Sequence, residues 1–346
     1  MAEVADSKQM TALIPNASGA LKPASVARPV PGEREVLVRV RAAGINRADL
    51  AQLAGLYPPP PGASDVLGLE VAGEVAGFGP GLSEGDEADP EAGPHARLGL
   101  DVGTPVCALL PGGGYAEYVS VPAAMLMPVQ PGWTMLEAAA WPEVAFTAFL
   151  NLFLEARLRP GERLLVHAGA SGVGTMAIAM AKAAGAAVYA TAGGPAKVGA
   201  CLAQGADLAF DRYDQEFAAA LAEHGVDGVD VVLDVVGRAY FDSNIDSLRP
   251  GGRLVVISTL SGGSVELDLR RLMAKRLRLI GSTLRARPVP EKVDIKRALF
   301  GRFGSRLAAG ELKPVIDSTA PWTDVSRLHA KMSENLNIGK LVLEVA

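Results

Sequence analysis

From residue 36 the chain alternates apolar and charged positions, with Val36, Val38 and Val40 set against Arg39 and Arg41. Side chains two apart share one face of a strand, so this pattern predicts a half-buried β-strand. Glycine and proline stay dense through residue 132, which suits short strands and turns in a β-rich first domain. The run Pro58-Pro59-Pro60-Pro61-Gly62 reads as a stiff extended loop. After Pro131-Gly132 the texture changes, and Leu136–Ala140 opens a helical stretch that ends before Pro160-Gly161. Apolar runs and helical runs then alternate. Strands are expected at Leu164–His167, Val188–Thr191, Asp207–Phe210, Val229–Val236, Arg253–Ser258 and Leu277–Ser282, with helices at Thr175–Ala184, Ala196–Gln204 and Gln215–His224. That alternation predicts an α/β architecture with a doubly wound parallel sheet. Val325–Met332 reads as a helix and Gly339–Val345 as a strand returning to the first domain. The expected division is 1–135 with 285–346 as the β-rich domain and 136–284 as the parallel-sheet domain.

At 346 residues the chain has room for two domains. No segment reaches the ~20 apolar residues that span a bilayer. Met1–Met10 carries Glu3, Asp6 and Lys8 without a basic-then-apolar signal pattern, so it reads as a short disordered leader and secretion is not expected. Cys107 and Cys201 are the two cysteines, a usage that fits a reducing cytoplasm rather than a disulfide framework. The net charge of −5 argues against a nucleic-acid partner. Much of it falls in residues 83–98, where Glu84, Asp86, Glu87, Asp89 and Glu91 face only Arg97, and this Gly/Pro/acid-rich stretch is expected to be exposed and mobile. Arg270, Arg271, Lys275, Arg276 and Arg278 alternate with Leu269, Leu272 and Leu277, which predicts an amphipathic helix with a solvated basic face.

The richest stretch is Val166-His167-Ala168-Gly169-Ala170-Ser171-Gly172-Val173-Gly174, an apolar run that stops at small residues just before a helical run at Thr175. Strand, glycine turn and helix together form a pyrophosphate cradle: glycines let the backbone approach the phosphates, and the helix start offers free N–H groups. A second strand follows at the right distance, ending Thr191-Ala192-Gly193-Gly194-Pro195-Ala196-Lys197. An NAD site usually places an acid there to hold the ribose hydroxyls. This chain has none. Lys197 either attracts a 2′-phosphate, which points to NADPH, or is a solvated residue on the next helix.

Several segments together resemble the medium-chain dehydrogenases/reductases over nearly the whole length. They are Ala43-Gly44-Ile45-Asn46-Arg47-Ala48-Asp49, Gly68-Leu69-Glu70, Pro111–Tyr118, the glycine turn, and Gly339-Lys340-Leu341-Val342. The resemblance implies a Rossmann cofactor domain beside a GroES-like catalytic domain. Alcohol dehydrogenases of this family place zinc ligands in the first two segments, where Asn46 and Leu69 stand here, so no metal is expected. Without a Lewis acid the reaction should need less polarisation of its acceptor. Asn46-Arg47-Ala48-Asp49, Gly55-Leu56-Tyr57-Pro58 and Gly68-Leu69-Glu70 resemble the zinc-free quinone oxidoreductase branch, which implies hydride transfer from NADPH to a quinone.

Tyr57, Asn46 and Asp49 are the candidate catalytic residues. By resemblance Tyr57 lines the nicotinamide and substrate site, where its phenol would bond a quinone oxygen; packing on the four prolines is the alternative. Asn46 would hydrogen-bond substrate or cofactor. Asp49 either orients its loop or caps a helix from Leu50. Glu70 is either structural or catalytic, and His167 reads as structural. Ser171, Gly172, Val173, Gly174 and Thr175 are expected at the pyrophosphate. Gly193, Gly194 and Lys197 are expected at the 2′-phosphate, with Arg212 or Tyr213 replacing contacts usual in the family. Val235, Gly237, Ser258, Leu260, Thr147 and Asn337 complete the expected cofactor contacts, with Thr147 alternatively a core residue. Two rival functions remain: an enone or enoyl-thioester reductase, and an NADPH-binding redox sensor with little turnover. The family likeness implies a homodimer, with Arg253–Ser258 and Leu277–Ser282 suited to pairing edge to edge.

Overall fold

The computed structural model describes residues 8–16 and 19–345. Two compact units emerge, Val144–Leu284 and the combination of Met1–Glu143 with Arg285–Ala346.

The Val144–Leu284 unit carries a six-stranded parallel sheet. In sheet order its strands are Leu208–Asp211, Ala187–Ala192, Arg163–Val166, Val229–Asp234, Leu248–Val256 and Arg278–Gly281. Sequence order thus reverses between Arg163–Val166 and Val229–Asp234. In doubly wound sheets such a reversal opens a ligand crevice at the carboxyl ends of the strands. Strands covered on both faces should be apolar throughout, and Leu164, Leu165, Val166, Val231 and Val232 are fully buried. Leu165, Phe210, Phe217, Leu221, Val232, Ile245 and Leu254 pack into one cluster. Each such side chain contributes about 1.5–3 kcal/mol by leaving water.

Two expectations about this unit are corrected. Arg253–Ser258 falls largely within strand Leu248–Val256, which is flanked on both sides and has no open edge; the edge strands are Leu208–Asp211 and Arg278–Gly281. Arg270, Arg271 and Lys275 of the basic stretch lie on helix Leu269–Lys275, while Arg276 ends it and Arg278 opens the next strand; the helix's basic face is not simply solvated. Arg271 pairs with Asp242 and Asp246 at 2.6 and 2.7 Å. Lys275 Nζ donates to the carbonyls of Ile245, Asp246 and Leu248, the orphan acceptors at the end of helix Phe241–Ser247.

The other unit is built on a seven-stranded sheet ordered Ile316–Pro321, Lys340–Glu344, Glu35–Ile45, Glu70–Phe78, Pro105–Leu109 and Leu126–Pro128, with Tyr118–Pro122 also pairing with Glu35–Ile45. All pairs are antiparallel except Ile316–Pro321 with Lys340–Glu344. Helix Met135–Ala139 packs on strands of this sheet, so the unit runs through Glu143 rather than stopping at 135. The helix starts on a reciprocal cap, in which Thr134 N–H donates to Glu137 Oε2 and Glu137 N–H donates to Thr134 Oγ1. Gln9 and Met10, expected in a disordered leader, begin strand Gln9–Pro15, which pairs with Leu21–Ala27; residues 1–7 of that leader lie outside the described residues.

The acidic stretch 83–98 is exposed over much of its length, Glu84, Asp86 and Glu91 included, but it is anchored from within. Ala88, Ala92, Ala96 and Leu98 are buried, and Asp89 is 3 % exposed. Helix Val289–Ala308 supplies what the local sequence cannot show: Lys296 Nζ and Arg297 Nη2 lie 3.0 and 2.6 Å from the Asp89 carboxylate. Burial alone would raise the Asp89 pKa, but the hydrogen bonds and charges of Arg297 and Lys296 outweigh it and hold it at about 2. A depressed carboxylate pKa stabilises the fold above its unfolded value near 3.8, and that contribution is lost as pH falls through about 2. Asp89→Asn is therefore expected to destabilise by about 1–3 kcal/mol at pH 7. Urea titrations should show that difference narrowing as pH drops toward 2.

Among the described residues no helix is long and apolar enough to cross a membrane.

Candidate functional site

In the parallel-sheet unit the chain leaves Val166 through His167 and turns at Ala168, whose φ is +52°. Helix Gly172–Ala183 follows, starting three residues earlier than the apolar pattern suggested. The earlier start has a local cause. Ser171 caps the helix, its Oγ accepting the Gly174 N–H at 3.1 Å, and Thr175 Oγ1 donates to the Gly172 carbonyl. Among the described residues no acceptor meets the N–H groups of Gly172 and Val173. Gly174 presses against the turn: a Cβ there would sit 2.3 Å from the Ala168 carbonyl oxygen and 2.7 Å from Gly169 Cα. The result is a narrow backbone cradle at a helix N-terminus, which fits the pyrophosphate of a dinucleotide.

Buried polar groups fix the strand ends around this cradle. His167 is 1 % exposed, with Nδ1 2.9 Å from Thr191 Oγ1 and Nε2 2.6 Å from Asn244 Oδ1. Burial pushes its pKa down to about 4, so the ring is neutral and joins neighbouring strands as a structural brace. Asn244 in turn donates to Asp234, whose carboxylate accepts the N–H groups of Val236 and Gly237. Val235 is half-buried here, and Leu260 N–H returns to its carbonyl at 3.3 Å. Gly237, Val235, Ser258 and Leu260 thus gather where two neighbouring strands end.

At the end of strand Ala187–Ala192, Gly193 lies beneath Arg212 and Tyr213; an added Cβ would come within 3.0 Å of both. Arg212 donates to Tyr213 Oη at 2.7 Å and stacks over its ring, and both side chains are exposed. Gly194 N–H donates to Asp211 Oδ1, and helix Pro195–Ala203 begins next, carrying half-buried Lys197. The structure therefore brings Gly193, Gly194, Arg212 and Tyr213 together. Thr147 is half-buried, its carbonyl accepting Asn151 Nδ2 at 2.8 Å where the helix loosens into a π-turn at Leu150–Glu155.

The other unit holds a dense buried polar cluster. Asn46 and Asp49 begin helix Arg47–Leu53, and the Asn46 N–H donates to Asp49 Oδ2 at 2.7 Å. Asp49 also accepts Gly68 N–H and Tyr115 Oη, while Tyr115 Oη lies 3.3 Å from His329 Nε2. It both orients its loop and serves the helix start. Burial raises the Asp49 pKa to about 6 against these hydrogen bonds. Asn46 does not stand open: its Nδ2 donates to Glu70 Oε1 at 2.9 Å and its Oδ1 accepts Lys340 Nζ at 2.7 Å. Lys340 Nζ also reaches Glu70 Oε1 at 2.5 Å and the Ile45 carbonyl at 2.7 Å. Glu70 is fully buried and Lys340 is 3 % exposed. Asn337, in the turn before Lys340, donates from Nδ2 to the Gly339 carbonyl.

Glu143, at the start of helix Pro142–Phe149, donates its N–H to Glu70 Oε2 at 2.8 Å. Its own carboxyl is pushed up to about 8, first by burial and then by the Glu70 charge, against the pull of Lys340. It therefore keeps its proton at neutral pH. Tyr57 is half-buried, and burial together with Glu143 raises its pKa while Arg285 lowers it, leaving a protonated phenol. Lys292 and Arg285 are each 5 % exposed, and burial lowers the pKa of both.

Glu143, Arg285, Lys292 and Lys340 were not expected from sequence as site residues. Lys340 had a readable signal, a lysine opening the apolar run Leu341-Val342-Leu343. Arg285 and Lys292 had none, because their partners lie far away in the chain.

A metal does not fit the Asn46 position. An ammonium already fills the space between Asn46 Oδ1 and Glu70 Oε1. Among the described residues no three His, Cys, Asp or Glu side chains are grouped so as to hold a metal ion.

A parallel-sheet unit with a backbone cradle, together with a β-rich unit holding a buried polar cluster, defines the two-domain class of dehydrogenases and reductases. The zinc-binding dehydrogenase family matches residues 172–297, and the alcohol dehydrogenase GroES-like domain matches residues 32–131. The chain belongs to the medium-chain dehydrogenase/reductase family. It is 29 % identical over 321 residues to the quinone oxidoreductase of Rattus norvegicus, covering 91 % of this chain and 90 % of that one. It is 32 % identical over 323 residues to a phthioceranic/hydroxyphthioceranic acid synthase of Mycobacterium bovis, covering 91 % of this chain; it spans only 14 % of that protein's length. The structure of mycobacterial Rv1454c complexed with NADPH superposes with a TM-score of 0.81 at 28 % identity, covering 97 % of this chain and 99 % of that one.

Proposed function

We propose that this protein is a zinc-independent, NADPH-dependent quinone oxidoreductase. The observation that carries this reading is the Lys340 ammonium lodged between Asn46 and Glu70. A fixed, fully engaged cation there leaves no Lewis acid for an alcohol or simple carbonyl, and a conjugated acceptor needs none. Likeness to the rat quinone oxidoreductase over nearly its full length supports the same acceptor class.

Ser171, Gly172, Val173, Gly174 and Thr175 would hold the pyrophosphate of NADPH. Lys197, Arg212 and Gly194 would receive its 2′-phosphate, with the Arg212 guanidinium as a charge-assisted donor. Val235, Gly237, Ser258, Leu260, Thr147 and Asn337 would complete its contacts. The complex of the mycobacterial relative with NADPH supports the choice of cofactor. When bound, the reduced nicotinamide supplies a hydride. The chain's task is orientation and proton supply. The Tyr57 phenol donates a hydrogen bond to the acceptor oxygen as charge develops there, and Glu143 is a second protonated group in the same unit. Asn46 and Asp49 hold the surrounding framework through their buried hydrogen bonds.

Steady-state assays with a small quinone and either NADPH or NADH test this reading. NADPH is expected to be preferred, with the preference lost in Lys197→Glu. Tyr57→Phe should lower kcat about tenfold or more. Tight NADPH binding without quinone turnover would favour an enoyl-thioester reductase, the reading supported by the polyketide synthase relatives. Failure on enones as well would leave a binding protein with little turnover.

A further inference from the structure

We propose that Arg285 is a positioning residue that clamps the Tyr57 loop and presents the phenol in a single place. The inference rests on the Tyr57 reading above. Residues 58–61 are all proline, so this stretch has no N–H groups of its own, and the bonded N–H that follows, Ala63 to the Pro60 carbonyl at 3.0 Å, ties the loop only to itself. Arg285 supplies the missing anchorage. Its Nη1 donates to the Tyr57 carbonyl at 3.3 Å, its Nη2 to Gln52 Oε1 at 2.8 Å, and its Nε to the Pro111 carbonyl at 2.8 Å. Its guanidinium carbon also lies 5.4 Å from the Tyr57 ring centroid, within cation–π range. Gln52 carries the network onward, its Nε2 donating to the Asp65 carbonyl at 3.1 Å on the far side of the prolines.

Arg285 is held in turn. Lys292 Nζ, from helix Val289–Ala308, donates to the Arg285 carbonyl at 2.7 Å. No carboxylate forms an ion pair with Arg285 among the described residues, and the side chain is 5 % exposed. A buried guanidinium spent on two carbonyls, an amide oxygen and an aromatic face is costly as a stability device. It is well suited to fixing geometry, because its planar fork holds three acceptors in one arrangement, which a lysine cannot do.

The test pairs hydrogen exchange with kinetics on Arg285→Met, Gln52→Met, Tyr57→Phe and the Arg285→Met/Tyr57→Phe double variant of the full chain. Exchange across residues 52–66 is expected to quicken about tenfold in Arg285→Met and in Gln52→Met. The kcat for a small quinone should fall about tenfold in Arg285→Met while KM changes less than about threefold. The double variant should match Tyr57→Phe alone, because Arg285 acts through Tyr57. Unchanged exchange in the folded variants overturns the clamp, as does a full extra loss in the double variant. Gln52→Met decides the exchange arm if Arg285→Met does not fold. Full activity in Tyr57→Phe would remove the phenol from the reaction, and the exchange data would still decide whether Arg285 holds the loop.

Discussion

Lys340→Met is expected to cost about 3–5 kcal/mol of stability, because it strands the Glu70 carboxylate in the interior. Methionine keeps most of the lysine's volume, so the loss would come from charge rather than from a cavity. Glu70 would retain only the Asn46 amide and the Glu143 N–H, and Asn46 Oδ1 and the Ile45 carbonyl would lose their donor. Denaturant titration followed by circular dichroism measures the effect. The companion variant Lys340→Met/Glu70→Gln should recover most of it, since glutamine removes the buried charge and can still accept from Glu143. A single variant as stable as the parent would mean that Lys340 does not balance Glu70, and would weaken the case for an ammonium at this position.

Gly174→Ala should raise the dissociation constant for NADPH by about a hundredfold, equivalent to about 2.7 kcal/mol. The new methyl would lie 2.3 Å from the Ala168 carbonyl oxygen and 2.7 Å from two backbone atoms of Gly169. None of these is a flexible side chain, so the turn itself must widen and the cradle loses its shape. Gly199→Ala is the control. Gly199 lies inside helix Pro195–Ala203 with nothing within 4 Å of an added Cβ, so alanine there should stabilise by about 0.5–1 kcal/mol and leave binding unchanged. Fluorescence titration with NADPH separates the two. Equal affinity in Gly174→Ala and the parent would count against the glycine turn as the cofactor cradle.

Much of this architecture was legible because local patterns encode it. The strand ending at Val166, the small-residue turn and the apolar helix behind it follow from spacing and residue size, with Ser171 shifting the helix start by three residues. The alternation at Val36–Val40 marked strand Glu35–Ile45 correctly. What escaped depends on partners distant in sequence. The burial of Asp89 within the otherwise exposed acids of 83–98 was not readable, because Lys296 and Arg297 are some 200 residues away. Arg253–Ser258 looked suited to a sheet edge because strand order is not a local property. In the polar cluster, Asn46 and Asp49 were visible as candidates. Their engagement was not, since it depends on Tyr115, Glu70 and Lys340. Arg285 gave no signal at all, because its value lies in reaching Gln52, Tyr57 and Pro111 at once.

The pairing of Glu70 with Lys340 also sets a timetable for synthesis. The two residues are 270 positions apart, and the whole Val144–Leu284 unit is encoded between them. At about 5–20 residues per second, Glu70 leaves the ribosome roughly 15–50 s before its counter-charge is made. The parallel-sheet unit is contiguous and has all its strands well before then. A nascent chain can therefore hold the whole sequence of the parallel-sheet unit while the other unit is incomplete and lacks the ammonium that pairs with its buried carboxylate until strand Lys340–Glu344 is made.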